Sequence, residues 1–233
     1  SLHRAGHVLG SASALVSVGD EKVLFSGDLG RPHHPLLLPR AAPPAASTVV
    51  IESTYGDRQH PSTDSPGHEV LADAIRRTIG RGGSVLIPAF AVDRTEVVLL
   101  AIDQLRRHGS IPDVPVYVDS PMALATLDVY QRPDLAAEMR PDALQELNSM
   151  HEVREARTSE ESRRLNTPGP PCIIVSASGM ATGGRVVHHL ATLLPHPKNT
   201  IVLSGYQAVG TRGRALQEGA REVKVLGRYV PVR

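Results

Sequence analysis

The sequence predicts an α/β protein: a mainly β segment over about 12–57, then strands and helices in alternation to the end. Three observations carry this. The runs SALVSV and EKVLFS flank Gly19-Asp20, a two-residue hairpin signal. From about residue 62, helical and strand-like patterns alternate, which implies right-handed crossovers and a mainly parallel sheet. Acidic and small polar residues recur just past the strand-like runs: Asp28, Glu52, Asp119, Ser176 and Ser178.

In order, a Pro-rich stretch, RPHHPLLLPRAAPPAAS, reads as a surface connection, and STVVIES as a buried strand ending on Glu52. HEVLADAIRRTIG is an amphipathic helix closed by Gly80. GSVLIPAF is a strand. DRTEVVLLAIDQLRRHG is a helix with Asp93 as N-cap and Glu96 three residues on. VPVYVDS is a strand, and PMALATLDVYQR a helix with Pro121 at its first turn. A polar helical stretch fills about 134–165. CIIVSAS, NTIVLSG and REVKVLG are strands, separated by the helices GGRVVHHLATLL and RGRALQEGA. No internal repeat or low-complexity tract is visible.

Composition narrows the function classes. With 25 basic and 24 acidic residues the net charge is +1, which neither indicates nor excludes a basic nucleic-acid groove. Aromatics make up 3% and Trp is absent, which argues against a surface that binds by aromatic stacking. One cysteine, Cys172, excludes an internal disulfide framework and a cysteine-rich zinc knuckle; in PPCIIVSAS it reads as a buried structural thiol. No run approaches the roughly 20 apolar residues of a membrane span, and no signal peptide is seen, so no membrane partner is expected and the cytoplasm is the default location. Oligomeric state stays open, a homo-oligomer included.

Ligand sites in parallel α/β sheets lie past the carboxyl ends of the strands. Asp28, followed by Leu29-Gly30, suits a hard cation and can bridge two metals. His7, between small residues, can supply an imidazole. The alternative is a capping Asp and a hydrogen-bonded loop His. Two ligands are fewer than the three protein ligands of an ordinary catalytic zinc. Asp119 before Ser120-Pro121 reads as a helix N-cap. The pairs His33-His34 and His188-His189 read as structural or surface, since adjacent helical residues point in different directions.

Seven stretches in order, GHVLGSA, FSGDLGR, IESTYGDR, LIPAFAVDRTE, YVDSPMA, SASGMATGGRVVHHL and LSGYQAVGTRGR, resemble the β-CASP branch of the metallo-β-lactamase-fold nucleases. This branch includes relatives of the pre-mRNA 3′-end cleavage endonuclease and ribonuclease J. The resemblance implies part of a metallo-β-lactamase αββα sandwich over 1–57, then a β-CASP domain over 58–233 with a mainly parallel sheet flanked by helices. It implies that His7 is the third metal-ligand motif and Asp28 the zinc-bridging fourth. Glu52 is then motif A, which supports the histidine of motif B. Two Zn2+ ions in the parent protein, and RNA as substrate, follow from the same resemblance.

The resemblance also implies a piece of a longer protein, because the HxHxDH motif and motifs B and C are not in this sequence. By itself the chain is then expected to be inactive. At LIPAFAVDRTE many relatives carry Gly where Asp93 stands. Phosphate or substrate contacts are expected from Arg94, Arg185, Arg212 and Arg214, each near a helix start, and from Ser178 and Gly179 at a strand end. A DNA-directed nuclease of the same branch and a non-catalytic RNA-binding subunit are the competing functions. A Rossmann-like module, suggested by SGMATGG, lacks the G-x-G-x-x-G spacing.

Overall fold

The computed structural model describes residues 1–57, 68–167 and 169–233. His60 lies outside them. In chain order the elements are β1 (Leu2–Arg4), β2 (Ala12–Val18), β3 (Glu21–Phe25), β4 (Thr48–Val50), α1 (His68–Gly80), β5 (Val85–Pro88), α2 (Arg94–Arg107), β6 (Val116–Asp119) and α3 (Pro121–Tyr130). A 3-10 helix over Pro133–Glu138 follows, then α4 (Ala143–Asn148), β7 (Arg154–Glu155), α5 (Ser159–Arg164), β8 (Ile173–Ser176), α6 (Val186–Leu193), β9 (Thr200–Ile201), α7 (Arg212–Gln217), β10 (Glu222–Val225) and β11 (Arg228–Pro231). These elements fall into two compact units: the described residues of Ser1–Asp64 with Tyr130–Ser149, and those of Ser65–Val129 with Met150–Arg233.

The first unit carries a four-stranded sheet in the order β1-β2-β3-β4. Val18 pairs with Glu21 across Gly19-Asp20, so the hairpin forms where the sequence places it. Strand β4 runs parallel to β3, and all three of its residues are exposed. The expectation of a buried strand is corrected here. Phe25, Val50 and Val16 lie on one face of the sheet by register, and each is at least 45% exposed. This apolar face is only half covered by the described residues of the unit.

The Pro-rich stretch is a surface connection over most of its length. His34, Leu36 and Leu37 are the exceptions: they are buried, and Leu37 bridges to Met139. His34 Nδ1 accepts the Leu36 and Leu37 amides at 3.1 and 3.0 Å, which folds the PHHPLLL stretch onto itself. Its apolar residues are short of a strand or helix period, so the burial has no pattern signal. Likewise 134–165 is not one helical stretch. Pro133 and Pro141 interrupt it, and it breaks into the 3-10 helix, α4, the short strand β7 and α5.

The second unit is built on a five-stranded sheet, β7-β6-β8-β5-β9, in which every pairing is parallel. Period-two alternation places Val85, Ile87, Ile173 and Val175 on one face, under α1, α2 and α3, and Leu86 and Ile174 on the other, under α6. Both faces are covered, so the central strands read as continuous apolar runs. Leu86 is fully buried; truncation to Ala costs about 2–5 kcal/mol by the transfer and cavity terms. Strands β10 and β11 form a separate antiparallel hairpin that packs against α6. Cys172 is buried and its Sγ lies 3.5 Å from Ser84 Oγ, in keeping with a structural thiol.

Candidate metal and nucleic-acid site

His7 sits in the loop between β1 and β2, and Asp28 in the loop after β3. Gly30 joins them: its N–H donates to the Ala5 carbonyl at 2.9 Å. A Cβ on Gly30 would stand 1.8 Å from the Gly6 carbonyl oxygen and 2.7 Å from the His7 amide nitrogen. Only glycine allows the two backbones to lie this close. Gly6 itself has φ 67°, in the left-handed region. Ser11 Oγ accepts the His7 and Val8 amides at 2.9 and 3.1 Å and holds the histidine loop.

In consequence His7 Nε2 and Asp28 Oδ2 stand 3.9 Å apart, with side chains 47% and 78% exposed. Two donors on one tetrahedral zinc lie roughly 3.3 Å apart. The pair is thus close enough for a small side-chain movement to bring both onto one ion. No group of three or more His, Cys, Asp or Glu that could hold a metal occurs among the described residues.

Glu52 belongs to the same cluster. Its Oε2 accepts the Thr54 amide at 2.9 Å and its Oε1 the Leu29 amide at 3.4 Å. The Thr54 hydrogen bond, against a weaker effect of burial, holds the carboxyl below the ordinary Glu range. The Glu52 amide donates to Ser26 Oγ at 3.0 Å, so Glu52 and the Asp28 loop are tied at both backbone and side chain.

In the second unit the loop after β8 carries Ser178 and Gly179. Ser178 Oγ accepts the Thr182 and Gly183 amides at 3.2 and 3.4 Å, shaping the loop from within. Arg185 turns its guanidinium inward, to Asp119 Oδ1 at 2.7 Å and to the Ala156 and Arg157 carbonyls at 2.6 and 2.8 Å. Arg212 donates to the carbonyls of Lys224 and Ala181, and Arg214 pairs with Glu218. Only Arg94, of these four, has no side-chain hydrogen bond or ion pair with the described residues.

Two capping expectations are corrected. The Asp119 carboxylate does not cap α3; Ser120 Oγ does, accepting the Ala123 amide at 3.2 Å. Asp119 is instead fully buried and takes hydrogen bonds from His189, Ser162 and Arg185. Asp93 stands at the start of α2 without a side-chain cap bond and with φ 67°. This is a γ-turn, closed by the Arg94 amide on the Val92 carbonyl at 2.8 Å, a conformation that favours glycine. His188 is exposed and His189 buried, as adjacent helical positions require.

Residues 95–216 match the model of the Beta-Casp domain. The chain belongs to the β-CASP family. It is 38% identical over 237 residues to an RNase J-like protein of Methanocaldococcus jannaschii, which covers 99% of this chain and 54% of that protein. A ribonuclease of Thermus thermophilus is 36% identical over 235 residues, covering 99% and 54%. Transcription termination factor FttA of Methanosarcina mazei is 36% identical over 238 residues, covering 98% and 37%. The chain thus spans about half the length, or less, of these β-CASP relatives.

Proposed function

We propose that this β-CASP chain is part of a metal-dependent hydrolase that cleaves RNA phosphodiester bonds. The observation that carries the reading is the convergence of His7, Asp28 and Glu52 on three adjoining backbones, in a chain similar to proteins named as ribonucleases. Residues 1–57 are then part of a metallo-β-lactamase domain and 58–233 a β-CASP domain. The half-covered apolar face of the first sheet supports the former, because a monomeric layer of that kind is covered in a complete sandwich.

His7 Nε2 and Asp28 Oδ2 are the donors this chain offers to zinc, with Asp28 able to bridge two ions. When bound, such ions supply a water of lowered pKa and positive charge for the phosphoryl oxygens. Glu52 stays ionised through the Thr54 amide and fixes the Asp28-Leu29 turn through the Leu29 amide. Arg94, which has no side-chain partner among the described residues, is the cation for a phosphate, and Ser178 and Gly179 line the same carboxyl edge of the parallel sheet. The cytoplasm is the location in this reading. The remaining ligands come from outside this sequence, so the chain alone does not cleave.

The test compares one sequence as single-stranded RNA and as DNA. Tighter binding of RNA is expected, because the 2′-hydroxyl is what separates the two. Tighter binding of DNA overturns the RNA assignment in favour of a DNA-directed nuclease. RNA affinity with no metal affinity at His7 and Asp28 favours the non-catalytic subunit.

A further inference from the structure

We propose that Phe90 is a stacking platform for one unpaired nucleobase, with Arg94 holding the adjacent phosphate. This rests on the reading of the protein as RNA-directed.

Phe90 follows β5, a central strand of the parallel sheet, and stands past its carboxyl end. It is 37% exposed, so part of the ring reaches solvent. Two glycines from the neighbouring strand-end loops abut its ring. A Cβ on Gly179 would lie 2.8 Å from Cδ2 and 3.0 Å from Cε2, and one on Gly205 would lie 3.6 Å from Cε2. A side chain at 179 would collide with the ring and with the Phe90 amide nitrogen, 2.9 Å from that Cβ, so only glycine lets this loop pack against the ring edge.

Both glycines are pinned by one buried side chain. Gln207, 2% exposed, donates its amide to the Gly179 and Gly205 carbonyls at 3.1 and 3.0 Å. The ring's own backbone is fixed as well. The Phe90 carbonyl accepts from the Thr95 amide and hydroxyl, at 3.2 and 2.9 Å, which seats it at the first turn of α2. Arg94 opens that helix, its Nε 4.0 Å from the Cβ position of Gly205.

A partly exposed aromatic ring on a rigid seat, beside a guanidinium with no partner among the described residues, matches one nucleotide of a single strand. The base takes the ring and the phosphate takes the cation. Stacking is sequence-tolerant, since every base has a π-face. The low aromatic content argues against an extended stacking surface, and one ring serves one base.

The experiment measures binding of a short single-stranded RNA to the 233-residue chain over a range of salt. Phe90→Leu is expected to weaken binding by about 5- to 150-fold. The salt slope is expected to stay unchanged, and Phe90→Tyr to bind as the unsubstituted chain does. Arg94→Ala is expected to lower the slope by about 0.7. RNA carrying 5-iodouridine is expected to photocrosslink to Phe90 in the unsubstituted chain, a readout independent of whether any variant folds. Unaltered affinity in Phe90→Leu, or crosslinks that fall only elsewhere, overturns the platform while leaving RNA binding standing. No affinity for RNA in the unsubstituted chain overturns the RNA-directed reading itself.

Discussion

The Asp119 carboxylate and the His189 imidazole meet 2.6 Å apart with neither side chain exposed to solvent. Ser162 Oγ donates to the same carboxylate oxygen at 2.5 Å, and Arg185 to the other at 2.7 Å. One acid at the end of β6 thus ties α5, α6 and the segment after β7 to the sheet. Removing one partner of a buried pair leaves the others unpaired in the interior. Asp119→Ala is therefore expected to destabilise the chain by about 3–5 kcal/mol in urea unfolding. A loss under 1 kcal/mol would show that the network is not a structural hub.

The pH dependence has a definite sign. Burial pushes the Asp119 carboxyl up, but hydrogen bonds from His189, Ser162 and Arg185 outweigh it and hold the carboxyl below the ordinary Asp range. A depressed folded-state pKa contributes stability above the unfolded value of about 4, lost as pH falls through the folded value. Unfolding followed from pH 5 to pH 2 is expected to show this loss in the unsubstituted chain and not in Asp119→Asn.

Glu96 behaves in the opposite sense. It is fully buried in the first turn of α2, and neither carboxyl oxygen meets a well-formed hydrogen-bond partner among the described residues. Burial, with Asp93 nearby, pushes the carboxyl up to about 8. A raised folded-state pKa means that stability falls as pH rises from about 4.5, where the unfolded chain ionises, to about 8. The loss is on the order of 4 kcal/mol across that window. Glu96→Gln is expected to flatten the profile and to leave the chain more stable than the unsubstituted one at pH 8. Parallel profiles would contradict the assignment.

Gly30→Ala forces a methyl group into the Gly6–His7 peptide. Overpacking of this kind costs about 1–3 kcal/mol. More tellingly, it pushes the His7 loop off the Asp28 loop, so zinc affinity is expected to fall along with the melting temperature. Retained affinity in a folded variant would mean that the pair is not held by that backbone contact.

His7 and Asp28 face solvent, and an exposed pair is worth about 0–1 kcal/mol. Asp28→Ala is expected to change unfolding free energy by less than about 1 kcal/mol. A larger loss would assign the pair to stability rather than to metal.

The parallel sheet was legible because β5, β6 and β8 are apolar runs alternating with helices of clear period and punctuation, such as His68–Gly80 closed by its glycine. His7 and Asp28 stood out through the family resemblance, since their residue chemistry alone also allowed a capping Asp and a hydrogen-bonded loop His. The role of Asp119 was not, since its partner His189 lies 70 residues on and Ser120 offers a local cap. Phe90 was hidden for a related reason. In LIPAF it continues an apolar run, and Gly179 and Gly205, which abut its ring, lie far along the chain.

The central claim, that this chain brings part of a metal site rather than all of it, is tested most directly by zinc per chain after purification without chelator. The account predicts less than one tightly held zinc, lowered further in His7→Ala. About two zinc ions per chain would contradict it. Other residues would then complete the site, with His33 and His60 the first to substitute.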